Sequence, residues 1–147
     1  MKVSYCIPTH DGNAKCQQYL FDIFFALEHQ TNKNFNVWIS DHSKSNKILK
    51  ACEEYADLFE INYVKNDSSL GNISSNTNNA MLCADGDILK VLFSDDIILT
   101  KNLTEELDRA FTKGVKWAVT GFAHTIDDGR SHYNPKFPVY NDRLLEG

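Results

Sequence analysis

Short runs of apolar residues alternate with longer stretches in which apolar side chains recur every three or four positions, from residue 2 to about residue 122. Residues 2–7 predict a first strand, ended by the polar turn Pro8-Thr9-His10-Asp11-Gly12-Asn13. Cys16, Tyr19, Leu20, Ile23, Phe24 and Leu27 then fall on one face of a helix, the spacing of an element packed against a sheet. Residues 35–39 predict a second strand, and Ile48, Leu49, Cys52, Tyr55 and Ala56 the inward face of a second helix. A short third strand over 61–64 precedes a helix with Ile73, Ala80, Met81 and Ala84 inward and Asp85-Gly86 as its stop.

The next run, from Ile88 to Phe93, ends in Ser94 and the adjacent carboxylates Asp95 and Asp96 before a second apolar run, Ile97-Ile98-Leu99. So much Ile, Leu, Val and Phe reads as buried strand. A helix over 101–112 with Leu103, Leu107, Ala110 and Phe111 inward, a stop at Gly114 and a fifth strand over 116–122 complete the alternation. Strand and helix in turn predict an α/β fold: a doubly wound, mostly parallel sheet sandwiched by helices and joined by right-handed crossovers. Residues 123–147 lack a periodic apolar face; Asp127-Asp128-Gly129 reads as a turn and Asn134-Pro135-Lys136-Phe137-Pro138 as extended chain. The expected organisation is one α/β domain over 1–122 and an irregular tail over 123–147, lying across the sheet edge or ordered by a partner.

Composition narrows the function classes. A chain of 147 residues with 42% hydrophobic residues is long and apolar enough for one core, since domains near this size bury roughly 68–70% of their unfolded surface. The formal charge of -5, with no basic cluster, supplies no cationic field for nucleic acid or anionic lipid. No stretch nears the ~20 apolar residues of a membrane span. The N-terminal residues up to Pro8 lack a signal peptide's apolar segment, so the expected setting is cytoplasmic. Cys6, Cys16, Cys52 and Cys83 form no Cys-x-x-Cys pair and have no His at ligand spacing, and read as buried thiols rather than a zinc site.

Three strand ends carry polar groups: Pro8-Thr9-His10-Asp11, Asp41, and Asp95-Asp96. In an open α/β sheet such loops converge on one crevice, the usual place for a nucleotide. The first turn has a single glycine, Gly12, where a dinucleotide fingerprint needs three, and no Gly-Lys-Ser/Thr phosphate loop occurs. A diphosphate would then need neutralising by a divalent metal, which Asp95 and Asp96 are suited to hold. The same pair is also consistent with a solvated turn, Asp41 with an Asx turn and His10 with an ordinary loop histidine. His29, at a helix end, and His42, in a polar loop, read as solvated. His124 and His132 would ligate a metal only if the tail folded back over the crevice. Arg130, Lys136 and Arg143 could clamp a diphosphate or serve only solubility.

Ile7-Pro8-Thr9-His10, Ile39-Ser40-Asp41-His42-Ser43-Lys44-Ser45-Asn46, Asn66 with Gly71 and Asn78, Ala84-Asp85-Gly86-Asp87, and Val91-Leu92-Phe93-Ser94-Asp95-Asp96 occur in this order over residues 2–122. Together they resemble glycosyltransferase family 2, whose members have the GT-A, Rossmann-like fold. The resemblance implies a nucleotide-diphosphate sugar donor, most simply a UDP-sugar, a Mn²⁺ or Mg²⁺ ion, and a carbohydrate or other hydroxyl acceptor, with inverting transfer. It further implies a base wall of Pro8, Thr9 and His10, with His10 in place of the family's Tyr. Asp41 would be an acceptor for the base's ring N–H, Asn78 a further nucleotide contact, and Asp95 with Asp96 the metal ligands.

The chain departs from the family at Phe93, where many members have the first Asp of Asp-x-Asp. It departs again at Lys44 and at Thr77-Asn78-Asn79-Ala80, which replaces Arg-Asn-x-Gly. No residue matches the family's acceptor-site base, and Asp127, Asp128 and Asp142 show no setting that would mark one of them as it. The chain therefore reads as the donor-binding part. Three functions stay open at this stage: a metal-dependent glycosyltransferase, alone or as a homo-oligomer; a truncated, non-catalytic nucleotide-sugar binding module; and an α/β domain that binds no nucleotide.

Overall fold

The computed structural model describes residues 1–67 and 72–121, together with the backbone of 124–126 and 131–133. Its elements alternate: β1 (Val3–Thr9), α1 (Cys16–Glu28), β2 (Phe35–Asp41), α2 (Lys47–Tyr55), β3 (Ile61–Lys65), α3 (Ile73–Cys83), β4 (Ile88–Val91) and α4 (Leu103–Thr112). The four strands form an all-parallel sheet in the order β3-β2-β1-β4. The chain runs outward from β1 to β3 and returns through α3 to β4 on the other side of β1. A crevice is expected at such a reversal, outside the carboxyl ends of the strands.

Each sheet face follows from the period-2 alternation of the strands. Val3, Tyr5 and Ile7 of β1 and Phe35, Val37 and Ile39 of β2 point to one side. There they form a single apolar cluster with Leu20, Ile23, Phe24 and Leu27 of α1, Ile48 and Cys52 of α2, and Leu107 of α4. Aromatic rings knit it: Phe24 lies 5.2 Å from Tyr55 and 5.9 Å from Phe59, and Phe35 lies 5.5 Å from Phe59. The buried Tyr5 hydroxyl shares a 2.8 Å hydrogen bond with Thr104 Oγ1. Gln30 fastens the approach to α4, donating to the Thr100 carbonyl (2.8 Å) and accepting from the Thr104 backbone N–H (3.1 Å).

The opposite side carries Ser4, Asn36 and Ser40, all buried, and is covered by α3. The sequence expectation for α3 needs correcting. Its buried residues are Asn76 and Ala80, while Ile73 is 63% exposed and Met81 and Ala84 are half-buried. Ala80 is inward as expected, but a helix crossing a polar sheet face also buries an amide that can answer the strand's hydroxyls and carbonyls, which the apolar period of 3.6 does not mark. Asn72 caps α3, its side chain accepting from the Ser75 backbone N–H at 3.0 Å.

Further differences concern the C-terminal third. Residues 116–121 of the expected fifth strand form no strand, and the neighbouring apolar residues Val115, Trp117 and Val119 do not lie in one. These residues are 42%, 53% and 78% exposed and bury no face among the described residues. In the apolar run Ile97-Ile98-Leu99, Ile98 packs on the core, and Ile97 and Leu99 are exposed. Gly114, with φ 89°, follows α4 as expected of a helix stop.

The chain divides into two units, Met1–Lys116 and Trp117–Gly147. The second holds a short antiparallel pair, β5 (His124–Ile126) and β6 (Ser131–Tyr133), in register Thr125 opposite His132. The tail is thus not irregular throughout. The expected turn at Asp127-Asp128-Gly129, the extended segment at Asn134-Pro138, and Arg130, Lys136, Arg143 and Asp142 lie outside the described residues. The same holds for the side chains of His124 and His132.

Candidate functional site

The carboxyl ends of β1, β2 and β4 and the start of α3 enclose a cavity of about 500 Å³. Pro8, Thr9 and His10 come from β1 and its turn, His42 from the residue after β2, Ile73 and Asn76 from α3, and Phe93, Ser94 and Asp95 from the turn after β4. All belong to the unit Met1–Lys116. Of the residues singled out in the sequence, Pro8, Thr9, His10 and Asp95 line this cavity.

The two carboxylates of the acidic pair have separate surroundings. Asp96 Oδ2 accepts a 2.8 Å hydrogen bond from the Phe93 backbone N–H, and the Asp96 N–H donates to the Phe93 carbonyl at 3.0 Å. This closes the turn that follows β4. Asp95, also exposed, is the carboxylate on the cavity wall. Asp96 is thus tied into the turn, and Asp95 faces the cavity. Among the described residues no group of three or more His, Cys, Asp or Glu side chains is placed to hold a metal.

Asp41 is fully buried and is not part of the wall. Alternation puts it on the α2 side of the sheet with Tyr63 and Lys65, its neighbours in β3. Its Oδ2 accepts from the Tyr63 hydroxyl at 2.7 Å and pairs with Lys65 Nζ at 3.4 Å. Its Oδ1 accepts from the Ser43 backbone N–H at 2.8 Å, an Asx turn, and from Thr9 Oγ1 at 3.4 Å. A carboxylate offers about four acceptor positions; here three donors meet them, with the Thr9 hydroxyl proton shared between Asp41 Oδ1 and the Ser40 carbonyl at 3.3 Å. Burial and the bond to Asp41 push the Tyr63 hydroxyl well above its ordinary pKa, so it remains a proton donor. For a base N–H to reach Asp41, Tyr63 or Lys65 would have to yield its place.

His10 is exposed, and its Nδ1 accepts a 2.9 Å hydrogen bond from the Gly12 backbone N–H. That bond holds the neutral ring with its proton on Nε2. The ring sits close to Gly12, so that a Cβ there would meet Nδ1 at 2.7 Å and the exposed ring would have to move. Asp11 accepts from Ser45 Oγ, tying this turn to the loop after β2. The Ser45 hydrogen bond holds the Asp11 carboxyl below its usual range.

Two residues were missed from sequence. Asn76 is 3% exposed and meets four partners. Its Nδ2 donates to the Thr9 and Ser40 carbonyls, each at 3.0 Å, and its Oδ1 accepts from Ser40 Oγ at 2.6 Å and Asn66 Nδ2 at 3.2 Å. Asn78, proposed in its stead, is exposed and lies off the wall. His42, read as solvated, is 2% exposed, and its Nε2 is buried with no hydrogen-bond partner among the described residues. An unpaired buried polar group costs about 1–3 kcal/mol. Continuing the β2 alternation Asn36, Trp38, Ser40 one step further reaches His42, the one signal that could have put it on the α3 side.

Comparison with known proteins adds a family and a fold. The family model described as Glycosyl transferase family 2 matches residues 4–145. No curated protein matches by sequence. Among solved structures, S. aureus TarS residues 1–349 in complex with UDP superposes with a TM-score of 0.66 at 22% identity, over 77% of this chain and 32% of that one. The same TarS fragment with UDP-GlcNAc gives 0.61 at 24% identity, over 76% and 30%. The mannosyltransferase PcManGT from Pyrobaculum calidifontis, in complex with GDP-Man and Mn²⁺, gives 0.54 at 17% identity, over 68% and 29%. At these identities the likeness shows the fold, and the chain spans about a third or less of each of these proteins.

Proposed function

The chain belongs to glycosyl transferase family 2, and on that premise we propose that it binds a nucleoside-diphosphate sugar, with uridine as the expected nucleoside, for transfer to an acceptor hydroxyl. The observation that carries this reading is the cavity at the chain reversal, with one carboxylate, Asp95, at the β4 end and a wall of Pro8, His10, Ile73 and Phe93 beside it. The complexes of its structural neighbours with UDP, UDP-GlcNAc and GDP-Man support the same class of donor.

In this reading the wall residues receive the flat base, with the His10 ring kept in place by Gly12, and Thr9 and Asn76 keep the β1 and β2 ends together behind it. The diphosphate then lies toward Asp95. Mg²⁺ is commonly held by one or two carboxylates, with phosphate oxygens and water completing the shell. Asp95, with Asp96 beside it, fits that donor set and does not form a closed cage by itself. Bound there, Mn²⁺ or Mg²⁺ would offset the charge that develops on the departing diphosphate. Attack of the acceptor oxygen opposite that leaving group would invert the anomeric centre.

A second reading is favoured by the wall itself. Asp95 is its one carboxylate among the described residues, which leaves no second one there to take the acceptor's proton. On that ground the chain is a donor-binding module whose transfer step needs groups from elsewhere.

A thermal-shift titration with UDP and Mn²⁺ tests both. Ligand at about 100 times its Kd stabilises the fold by about 2.7 kcal/mol, so a rise of several degrees is expected, lost with EDTA and in Asp95→Ala. Absence of any rise with UDP or GDP, in Mn²⁺ or Mg²⁺, would sink both readings. Release of UDP from a UDP-sugar across an acceptor panel favours the enzyme, and binding without release favours the module.

A further inference from the structure

The turn after β1 holds a hydrogen bond that exists in one protonation state only. His10 Nδ1 accepts from the Gly12 backbone N–H at 2.9 Å. An amide N–H can only donate, so Nδ1 must offer its lone pair. An imidazolium has none to offer, because both ring nitrogens then carry protons. Protonating His10 would set two N–H groups against each other, and turning the ring over would bring a carbon to the amide instead. Either way the bond is lost, and the exposed ring is free to leave its place.

That place is defined by the turn. A Cβ on Gly12 would lie 2.7 Å from Nδ1 and 2.8 Å from Cε1, so the bare α-carbon is what seats the ring. Asp11, between the two residues, accepts from Ser45 Oγ in the loop after β2, and the Asn13 side chain accepts from the Lys15 N–H at 2.9 Å. The turn is thus anchored on both sides of the bond, and the ring it seats belongs to the cavity wall. Among the described residues, the titratable and charged groups around His10 are Asp11 in the turn, Lys44 in the loop that Asp11 binds, and His42 and Asp95 on the wall; α3 adds the uncharged Ile73 and Asn76. The Ser45 bond holds the Asp11 carboxyl below its usual range, so Asp11 keeps one charge between pH 5 and 8, where imidazoles ordinarily change theirs.

We propose that Gly12 is a positioning residue for the donor cavity, acting through His10: its N–H seats the neutral ring in the wall, and the cavity loses affinity for a nucleotide-sugar when His10 takes up a proton. This rests on the nucleotide-donor reading above. A ligand that needs the ring in its seat must expel the proton, so its affinity falls by up to about tenfold for each pH unit below the midpoint of the ring. The competing effect has the opposite sign. An imidazolium that kept its place would attract the diphosphate, and binding would tighten on acidification. The Gly12 bond decides between them, because the protonated ring has no bond to keep it there.

The test follows pH on the whole chain. In ¹⁵N-labelled wild type without ligand, the Gly12 amide proton and the His10 ring nitrogens should titrate with one shared midpoint, the amide proton moving upfield as its bond is lost; this readout needs no variant to fold. Calorimetry with UDP-GlcNAc and Mn²⁺ should give a Kd that rises about tenfold from pH 7.5 to pH 5.5. UDP-GlcNAc is the probe because it has no terminal phosphate to titrate near pH 6. His10→Phe keeps a flat ring without a proton site, and its profile should be flat. Gly12→Ala displaces the ring without a proton, and should bind several-fold more weakly at pH 7.5 with less change on acidification. A Gly12 amide that does not follow the ring, a Kd that falls on acidification, or an undiminished pH dependence in His10→Phe would each overturn the proposal. Strong binding at one affinity across the range removes only the role of Gly12 and His10. No binding at any pH sinks the donor reading, and this proposal with it.

Discussion

The two faces of the central sheet are made from the same strands and do different work. On one side Val3, Tyr5, Ile7, Phe35, Val37 and Ile39 meet the apolar faces of α1, α2 and α4, and the contact is oily and aromatic. On the other, Ser40 hydrogen-bonds to Asn76 and Asn79 of α3, while Ser4 and Asn36 bond each other and the Asp85-Gly86 turn that follows α3. Parallel sheets covered on both faces are usually apolar on both. The polar face here gives up hydrophobic contact for directional bonds, which fix α3 in position rather than merely holding it against the sheet. The cavity opens at the end of that polar face, and Asn76 belongs both to the network and to the wall.

The comparison can be broken on the apolar side first. Phe24→Ala empties the centre of the aromatic cluster, and an unfolding free energy lower by about 3–5 kcal/mol is expected from urea denaturation. A loss under 1 kcal/mol would mean that the apolar face is not the main source of stability.

Breaking the polar side should cost less and show differently. Asn76→Ala removes the hydrogen bonds to Ser40 Oγ, Asn66 Nδ2 and the Thr9 and Ser40 carbonyls, for an expected loss of about 2–3 kcal/mol. Nucleotide binding should weaken with it, because the wall moves when α3 loses its anchor. Phe24→Ala, assayed where it is still folded, should bind as the wild type does.

A graded, smaller effect comes from pH, and it reaches both faces. Burial raises Tyr5, on the apolar side, from 10.0 to about 12, and raises Cys6, on the polar side, and Cys52, in α2, from 9.0 to about 12. For each group the folded chain holds its proton longer than the unfolded chain does. Stability is therefore complete below about pH 9 and falls as pH rises toward 12. Melting temperatures taken from pH 8 to 11 should decline progressively, and Cys52→Ala should flatten part of that decline. A flat profile would contradict the burial of all three groups.

The fold was legible to a large degree because its signals are local. Strand runs, helical faces and the stop at Gly114 were each visible within about ten residues. Three of the strand-end expectations, Pro8-Thr9-His10, Asp41 and Asp95, fell at the ends of β1, β2 and β4 as read. The fifth strand expected over 116–122 does not form over 116–121, where Trp117 and Val119 bury no face among the described residues. The inward face of α3 was read at Ala80 and missed at Asn76 because its target was polar. His42 was passed over because a histidine among Ser and Lys looks solvated until the sheet shows which side it faces.

What the sequence by itself determined is the order of strands and helices, the apolar core of α1 and the presence of carboxylates and imidazoles at the strand ends. These follow from propensity and periodicity, which act over a few residues. Only the tertiary structure decided which of those polar groups face the cavity. It separated Asp95 from Asp96 by a turn hydrogen bond, turned Asp41 inward beneath Tyr63 and Lys65, and set His42 and Asn76 in the wall. The physical reason is that facing and burial depend on partners brought together across the sheet, such as Thr9 with Asp41 and Ser40 with Asn76, which lie more than thirty residues apart in the chain.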